Sequence, residues 1–118
     1  MFNQASEQLE LKRSGKDRIL DEAVIWTDGD TKIIVPIGFS TDYASIPNVL
    51  KPITSNDDFR IVRPAIVHDY LYRSTQPKQT RKQADKIFYK ALRYEGVGWF
   101  KAQLMYYGVR IGGRSSFK

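Results

Sequence analysis

The chain has 118 residues, 42% of them hydrophobic and 13% aromatic, which suits one compact domain with a real core and is too short for two. It contains no cysteine, which excludes disulfides and thiolate metal sites and favours a cytosolic origin. The net charge of +6 hides an asymmetry, since residues 1–59 carry 6 Lys/Arg against 10 Asp/Glu whereas residues 60–118 carry 13 against 3.

A basic half can meet phosphates or an acidic protein face. Arg73, Lys78, Arg81, Lys82, Lys86, Lys90 and Arg93, however, are spaced as on solvated helix faces, and no nucleic-acid motif accompanies them, so nucleic acid is not the expected partner. The longest apolar stretches run five to seven residues, far below the ~20 of a membrane span. Met1-Phe2-Asn3-Gln4 lacks the basic and apolar regions of a signal peptide, so no transmembrane segment and no self-encoded export route are expected.

The N-terminal part reads as strands. Leu9, Leu11 and Arg13 alternate with polar residues, and the runs Ile19 to Trp26 and Lys32 to Ile37 flank Asp28-Gly29-Asp30, a hairpin turn. From Gly38 to Pro52, glycine, proline, serine and asparagine break both periodicities and predict an ordered loop containing Asp42. Asp57 and Asp58 can cap a helix that runs through Tyr72, with Pro64 in its first turn or at a kink.

Thr80-Arg81-Lys82-Gln83 is a capping box that starts a second helix, with Ala84, Ile87, Phe88, Ala91 and Leu92 as its apolar stripe and Asp85 at the stripe's edge. Gly96 and Gly98 end it, and Val97, Phe100, Leu104, Gly108 and Ile111 fit a third amphipathic helix. The period changes once and does not alternate, which predicts an α+β fold: an N-terminal antiparallel β-meander followed by a bundle of two or three helices. The expected organisation is a single domain over 1–113, with a β part at 8–40, a loop at 41–56 and a helical part at 57–111. Residues 112–118 read as a tail that orders against a partner.

His68 is the only histidine, and it stands beside Asp69 and four residues before Tyr72, with which it shares a helix face. Histidine titrates near neutrality, so this pair is where proton transfer is sought. The alternative is a hydrogen-bonded structural group.

Gly38-Phe39-Ser40-Thr41-Asp42-Tyr43-Ala44-Ser45-Ile46-Pro47, His68-Asp69-Tyr70-Leu71-Tyr72, Arg81 to Leu92 with Ala84-Asp85, and Met105-Tyr106 with Val109-Arg110 resemble, in the expected order, the phage and prophage family called domain of unknown function 1353. The resemblance covers about residues 9–113. That family is encoded largely by tailed bacteriophages and prophages and has no established activity, so it implies a phage protein and no particular reaction.

A second resemblance concerns chemistry. Prokaryotic phospholipase A2 enzymes carry a His-Asp-x-x-Tyr motif on one helix, a further Asp on the next, and a preceding calcium loop with Asp and Ser. His68 to Tyr72, Asp85, and Asp42-Tyr43-Ala44-Ser45 look like those elements. The resemblance implies that His68 acts as general base, Asp85 orients it, Tyr72 holds that carboxylate, and Asp42 and Asp69 bind Ca²⁺. Unlike those enzymes, the Asp42 loop has no glycine between Thr41 and Ser45, no disulfide is possible, and the sequence displays no exposed apolar collar for a lipid interface.

Two functions follow. One is a virion-associated protein of the tail or baseplate that carries this His-Asp site, with other virion proteins or its own copies as partners, found in the host cytoplasm during assembly and then in the virion. The other is a small phage hydrolase acting on a lipid or cell-envelope substrate during host penetration or lysis. In the structural alternative Asp42 caps a turn or helix, Asp69 pairs with Arg63 or Arg73, and Asp85 accepts from His68. Accessibility separates the two: an enzyme needs His68 at the floor of a cleft, whereas a structural cluster is sealed by Ile46, Tyr70 or a neighbouring subunit.

Overall fold

Two glycine-assisted reversals and one change of period organise the chain. The computed structural model describes residues 1–2, 11–14, 17–20, 22–41, 59–73 and 79–112. Five strands, β1 (Leu11–Ser14), β2 (Asp17–Leu20), β3 (Val24–Asp28), β4 (Thr31–Val35) and β5 (Ser40–Thr41), precede three helices, α1 (Phe59–Arg73), α2 (Arg81–Tyr94) and α3 (Trp99–Gly112). This is the expected α+β order.

The hairpin is where the pattern places it. Gly29, at φ +60°, supplies the left-handed residue of a two-residue turn, and Asp28 pairs with Thr31 across it. Alternation then sorts the side chains: Val24 opposite Val35 and Trp26 opposite Ile33 are all buried, while Ile34 faces outward. Phe2 bridges to Trp26 on the far edge and packs its ring 4.9 Å from the indole.

The meander expected of the whole N-terminal half is divided. The run Ile19 to Trp26 breaks at the exposed Glu22, so β2 and β3 enter different sheets, one ordered β1-β2-β5 and one β3-β4. Leu20 donates its amide to Phe39 and accepts from Gly38, which turns the chain back on β2 and makes a short strand of Ser40–Thr41 inside the expected loop. The remainder of that loop, Asp42 included, and the capping residues Asp57 and Asp58 lie outside the described residues.

α1 is the central helix. Ile66, Val67 and Leu71 join the core under the hairpin, and Ile61 and Ala65 join a second core with Phe88, Leu92, Val97, Ala102, Met105 and Val109. A helix packed on several sides buries residues all round, and that is why Arg63, His68 and Asp69 are inside. Pro64 lies within this helix, where it cannot donate to the carbonyl of Arg60.

α2 begins as the sequence dictates. Thr80 accepts from the Gln83 amide at 3.0 Å and the Gln83 side chain accepts from the Thr80 amide at 2.9 Å, a complete capping box. All five residues of its expected stripe are buried, and Asp85 is buried with them. Gly96, at φ +98°, takes the left-handed position past the helix end.

α3 exists but is rotated from its expected setting. Ala102, Met105, Gly108 and Val109 face inward, while Phe100, Leu104 and Ile111 are exposed. The inward face is the one on which Ala102, Met105 and Val109 share a core with Phe88 and Leu92 of α2, a partnership that a hydrophobicity pattern within α3 does not register.

Candidate functional site

Contacts run in opposite order along α1 and α2, so the two helices are antiparallel. Arg63, early in α1, meets Glu95 beyond the end of α2 at 2.5 Å, whereas His68 meets Asp85 in the second turn of α2. α3 runs back along α2 in the same manner, with Arg81 donating to the carbonyls of Val109 and Arg110 at 3.3 and 3.0 Å. Three helices thereby converge on one carboxylate.

Asp85 is that carboxylate, and it is fully buried. His68 Nε2 lies 2.7 Å from Oδ1, and the Tyr72 hydroxyl donates to the same oxygen. Arg110 Nη1 donates to Oδ2 at 3.0 Å, and Arg81 Nη1 stands 3.9 Å from it. Burial alone would push the Asp85 carboxyl up. The hydrogen bonds it accepts from His68 and Tyr72, and then from Arg110, outweigh burial and hold it below the ordinary carboxylate range.

The consequence for the donors is chemical. An ionised carboxylate only accepts, so the imidazole must carry its proton on Nε2, and a neutral His68 keeps its lone pair on Nδ1. Burial first, and then the hydrogen bond to Asp85 and its negative charge, raise the Tyr72 phenol far above its usual value, so Tyr72 remains a donor. The His68 ring is held between Tyr72, with centroids 4.2 Å apart, and Phe88, 4.8 Å apart.

The structure therefore brings together His68, Tyr72 and Asp85. Asp69 points elsewhere: its carboxylate meets Arg73 Nη2 at 3.1 Å, and Arg73 also donates to the Ser40 carbonyl and lies over the Phe39 ring. Of the two alternatives for Asp69, Arg73 is its partner, and Arg63 belongs to Glu95. No group of three or more metal-ligating side chains occurs among the described residues. A hard cation takes about six to eight oxygens; Asp69 is engaged by Arg73, and Asp42, the other expected ligand, lies outside the described residues.

Arg81 and Arg110 are the members of the cluster that the sequence did not reveal as such. Arg81 was expected on a solvated face, yet it stands one turn before Asp85 and reaches across to α3. Of the residues expected to seal the cluster, Tyr70 packs against Phe39, with rings 5.4 Å apart, and Ile46 lies outside the described residues. A cleft of about 460 Å³ lined by Gly38, Phe39, Ser40, Tyr70 and Arg73 and another of about 350 Å³ lined by Lys86, Tyr89, Lys90, Gln103 and Tyr106 both leave His68 outside their walls. His68 itself is 1% exposed.

Residues 18–109 match the family described as "Protein of unknown function (DUF1353)". The chain belongs to the DUF1353 family. The match takes in β2 through most of α3, and so every described member of the DUF1353 chain's cluster except Arg110, which directly follows its last matched residue. No curated protein and no solved structure matches the chain. No helix among the described residues is long and apolar enough to cross a membrane.

Proposed function

We propose that the chain is a virion-associated bacteriophage protein of the tail or baseplate, built around a phospholipase A2-like His-Asp site that serves the isolated domain as a structural tie. The phage assignment is supported by the four motifs between Gly38 and Arg110 that resemble the phage family. The structural role is carried by one observation: Asp85, with no exposed surface, is held by His68 and Tyr72 of α1, Arg81 of its own helix and Arg110 of α3. Such a centre fixes how the helices meet and presents a rigid body to other virion proteins or to further copies.

A second reading, a small phage hydrolase acting on a lipid or cell-envelope ester, is favoured by the donors on Asp85 Oδ1. They place the His68 proton on Nε2 and leave Nδ1 as the basic atom, the arrangement in which an imidazole removes a proton from water while the carboxylate stabilises the imidazolium.

His68→Gln separates them. As a structural tie the substitution costs about 1 to 3 kcal/mol of unfolding free energy and no activity. As a general base it leaves stability near native and removes on the order of 10²- to 10⁴-fold of hydrolysis of an ester or envelope substrate. A stable His68→Gln protein that has lost a measured activity would overturn the structural role.

A further inference from the structure

The rotation of α3 leaves one of its faces without a partner among the described residues. Phe100, Leu104, Tyr107 and Ile111 are all exposed, Phe100 by 68% and Ile111 by 79%. At about 100° per residue these four fall within about 60° of arc, opposite the buried Ala102, Met105 and Val109. Trp99 extends the apolar surface at the start of the helix. The result is a convex ridge of aromatic and aliphatic side chains with no charge along its crest, an exposed apolar surface that the sequence did not display.

The exposed charge contributed by α2 and α3 has one sign. Between Gln79 and Gly112 there are seven Lys/Arg and two carboxylates, Asp85 and Glu95. Both carboxylates are spent inside, Asp85 in its cluster and Glu95 against Arg63. Beside the ridge, where Tyr106 and Tyr107 pack 5.5 Å apart, lies the cleft walled by Lys86, Tyr89, Lys90, Gln103 and Tyr106. Its donors are two ammonium groups, two phenols and an amide; Lys90 also pairs with Asp28 at 2.9 Å, and the Tyr89 hydroxyl accepts from Gln103.

We propose that this face docks on the surface of an anionic phospholipid bilayer. The ridge enters the boundary between headgroups and acyl chains, and the flanking cleft receives a headgroup phosphate. Aromatic and aliphatic residues on one helix face with lysines at its border are the combination that lies in a membrane interface. A second copy is the poorer occupant, because a two-fold contact across α3 would set these basic borders against each other with no free carboxylate of α2 or α3 to meet them. A protein receptor would need a groove for a convex ridge, whereas a bilayer requires only a soft planar boundary.

The test uses the full chain and vesicles of phosphatidylcholine alone or in equal mixture with phosphatidylglycerol, read by co-sedimentation and by Trp99 emission, since the other tryptophan, Trp26, is buried. Binding to the mixed vesicles is expected to exceed binding to neutral ones by at least about tenfold and to be accompanied by a blue shift. Lys86→Glu should weaken the mixed-vesicle binding by about fivefold. The double change Phe100→Asp with Leu104→Asp, at exposed positions, should abolish it while the melting temperature stays at the wild-type value. Equal binding to both vesicle types, absence of binding, or wild-type binding by the double variant overturns the proposal. So does a solution dimer that the double variant dissolves, which would assign the ridge to a second copy. No turnover enters these readouts, so the result stands apart from the role of His68.

Discussion

Arg110 and Asp85 are 25 residues apart in sequence and 3.0 Å apart in space. That contact brings the last turns of α3 onto a carboxylate whose other oxygen belongs to α1. It adds a polar tie between α2 and α3 to the apolar core those helices already share.

Removal of the carboxylate should be the most damaging single change in the cluster. Asp85→Ala leaves Arg110, an imidazole and a phenol without their acceptor and removes the charge that faces Arg81, and a loss of about 3 to 5 kcal/mol is expected in urea unfolding. Combined with His68→Gln, the total should fall short of the sum by at least about 0.5 kcal/mol, because both changes remove the same bond. Strict additivity would show that the two residues do not act together.

Tyr72→Phe keeps the ring against His68 and removes only the hydroxyl on Asp85. A hydrogen bond to a charged group carries about 1.5 to 3 kcal/mol, and chemical denaturation should register a loss in that range. A neutral outcome would mean that Asp85 Oδ1 is satisfied by His68 alone.

Acid should weaken the protein through Asp85. Its folded-state carboxyl lies below the ordinary value, so its contribution is present above about pH 4 and is lost as pH falls through the lower folded value. Unfolding free energies measured from pH 7 downward should therefore decline on the acid side. Asp85→Asn should flatten that part of the curve. An unchanged acid slope in the variant would place the linkage in other carboxylates.

Millimolar Ca²⁺ should leave the melting temperature unchanged, since the Asp69 carboxylate is engaged by Arg73. A cation held by Asp42 and Asp69 would instead raise it by mass action, and the increment would vanish in Asp69→Asn. A calcium-dependent rise with that loss would place the metal at Asp42 and Asp69.

Thr80→Ala should cost about 1 kcal/mol by thermal or chemical unfolding, because it removes one arm of the capping box at an exposed position.

Local signals were legible in the sequence wherever one element settled the outcome by itself. Gly29 announced the hairpin, Thr80 and Gln83 announced the start of α2, and the spacing of His68, Tyr72 and Asp85 was enough to bring them together once the two helices were antiparallel. What failed required knowledge of a neighbour. The split between β2 and β3 depends on Leu20 pairing with Gly38 and Phe39, residues remote from it in the chain. The setting of α3 depends on the core that Ala102, Met105 and Val109 share with α2, while Phe100, Leu104 and Ile111, which dominate a periodicity argument, face outward. For the same reason Arg110 gave no sign of reaching Asp85: its direction follows from the rotation of α3. Asp42 lies outside the described residues.

The placement of Arg110 also bears on how the chain is made. A chain that stops short of Arg110 would bury the Asp85 carboxylate without the arginine that donates to its Oδ2. The helical half therefore closes late, as one cooperative step. Its slowest-exchanging backbone amides should be shared among all three helices and lost together when synthesis stops short of Arg110.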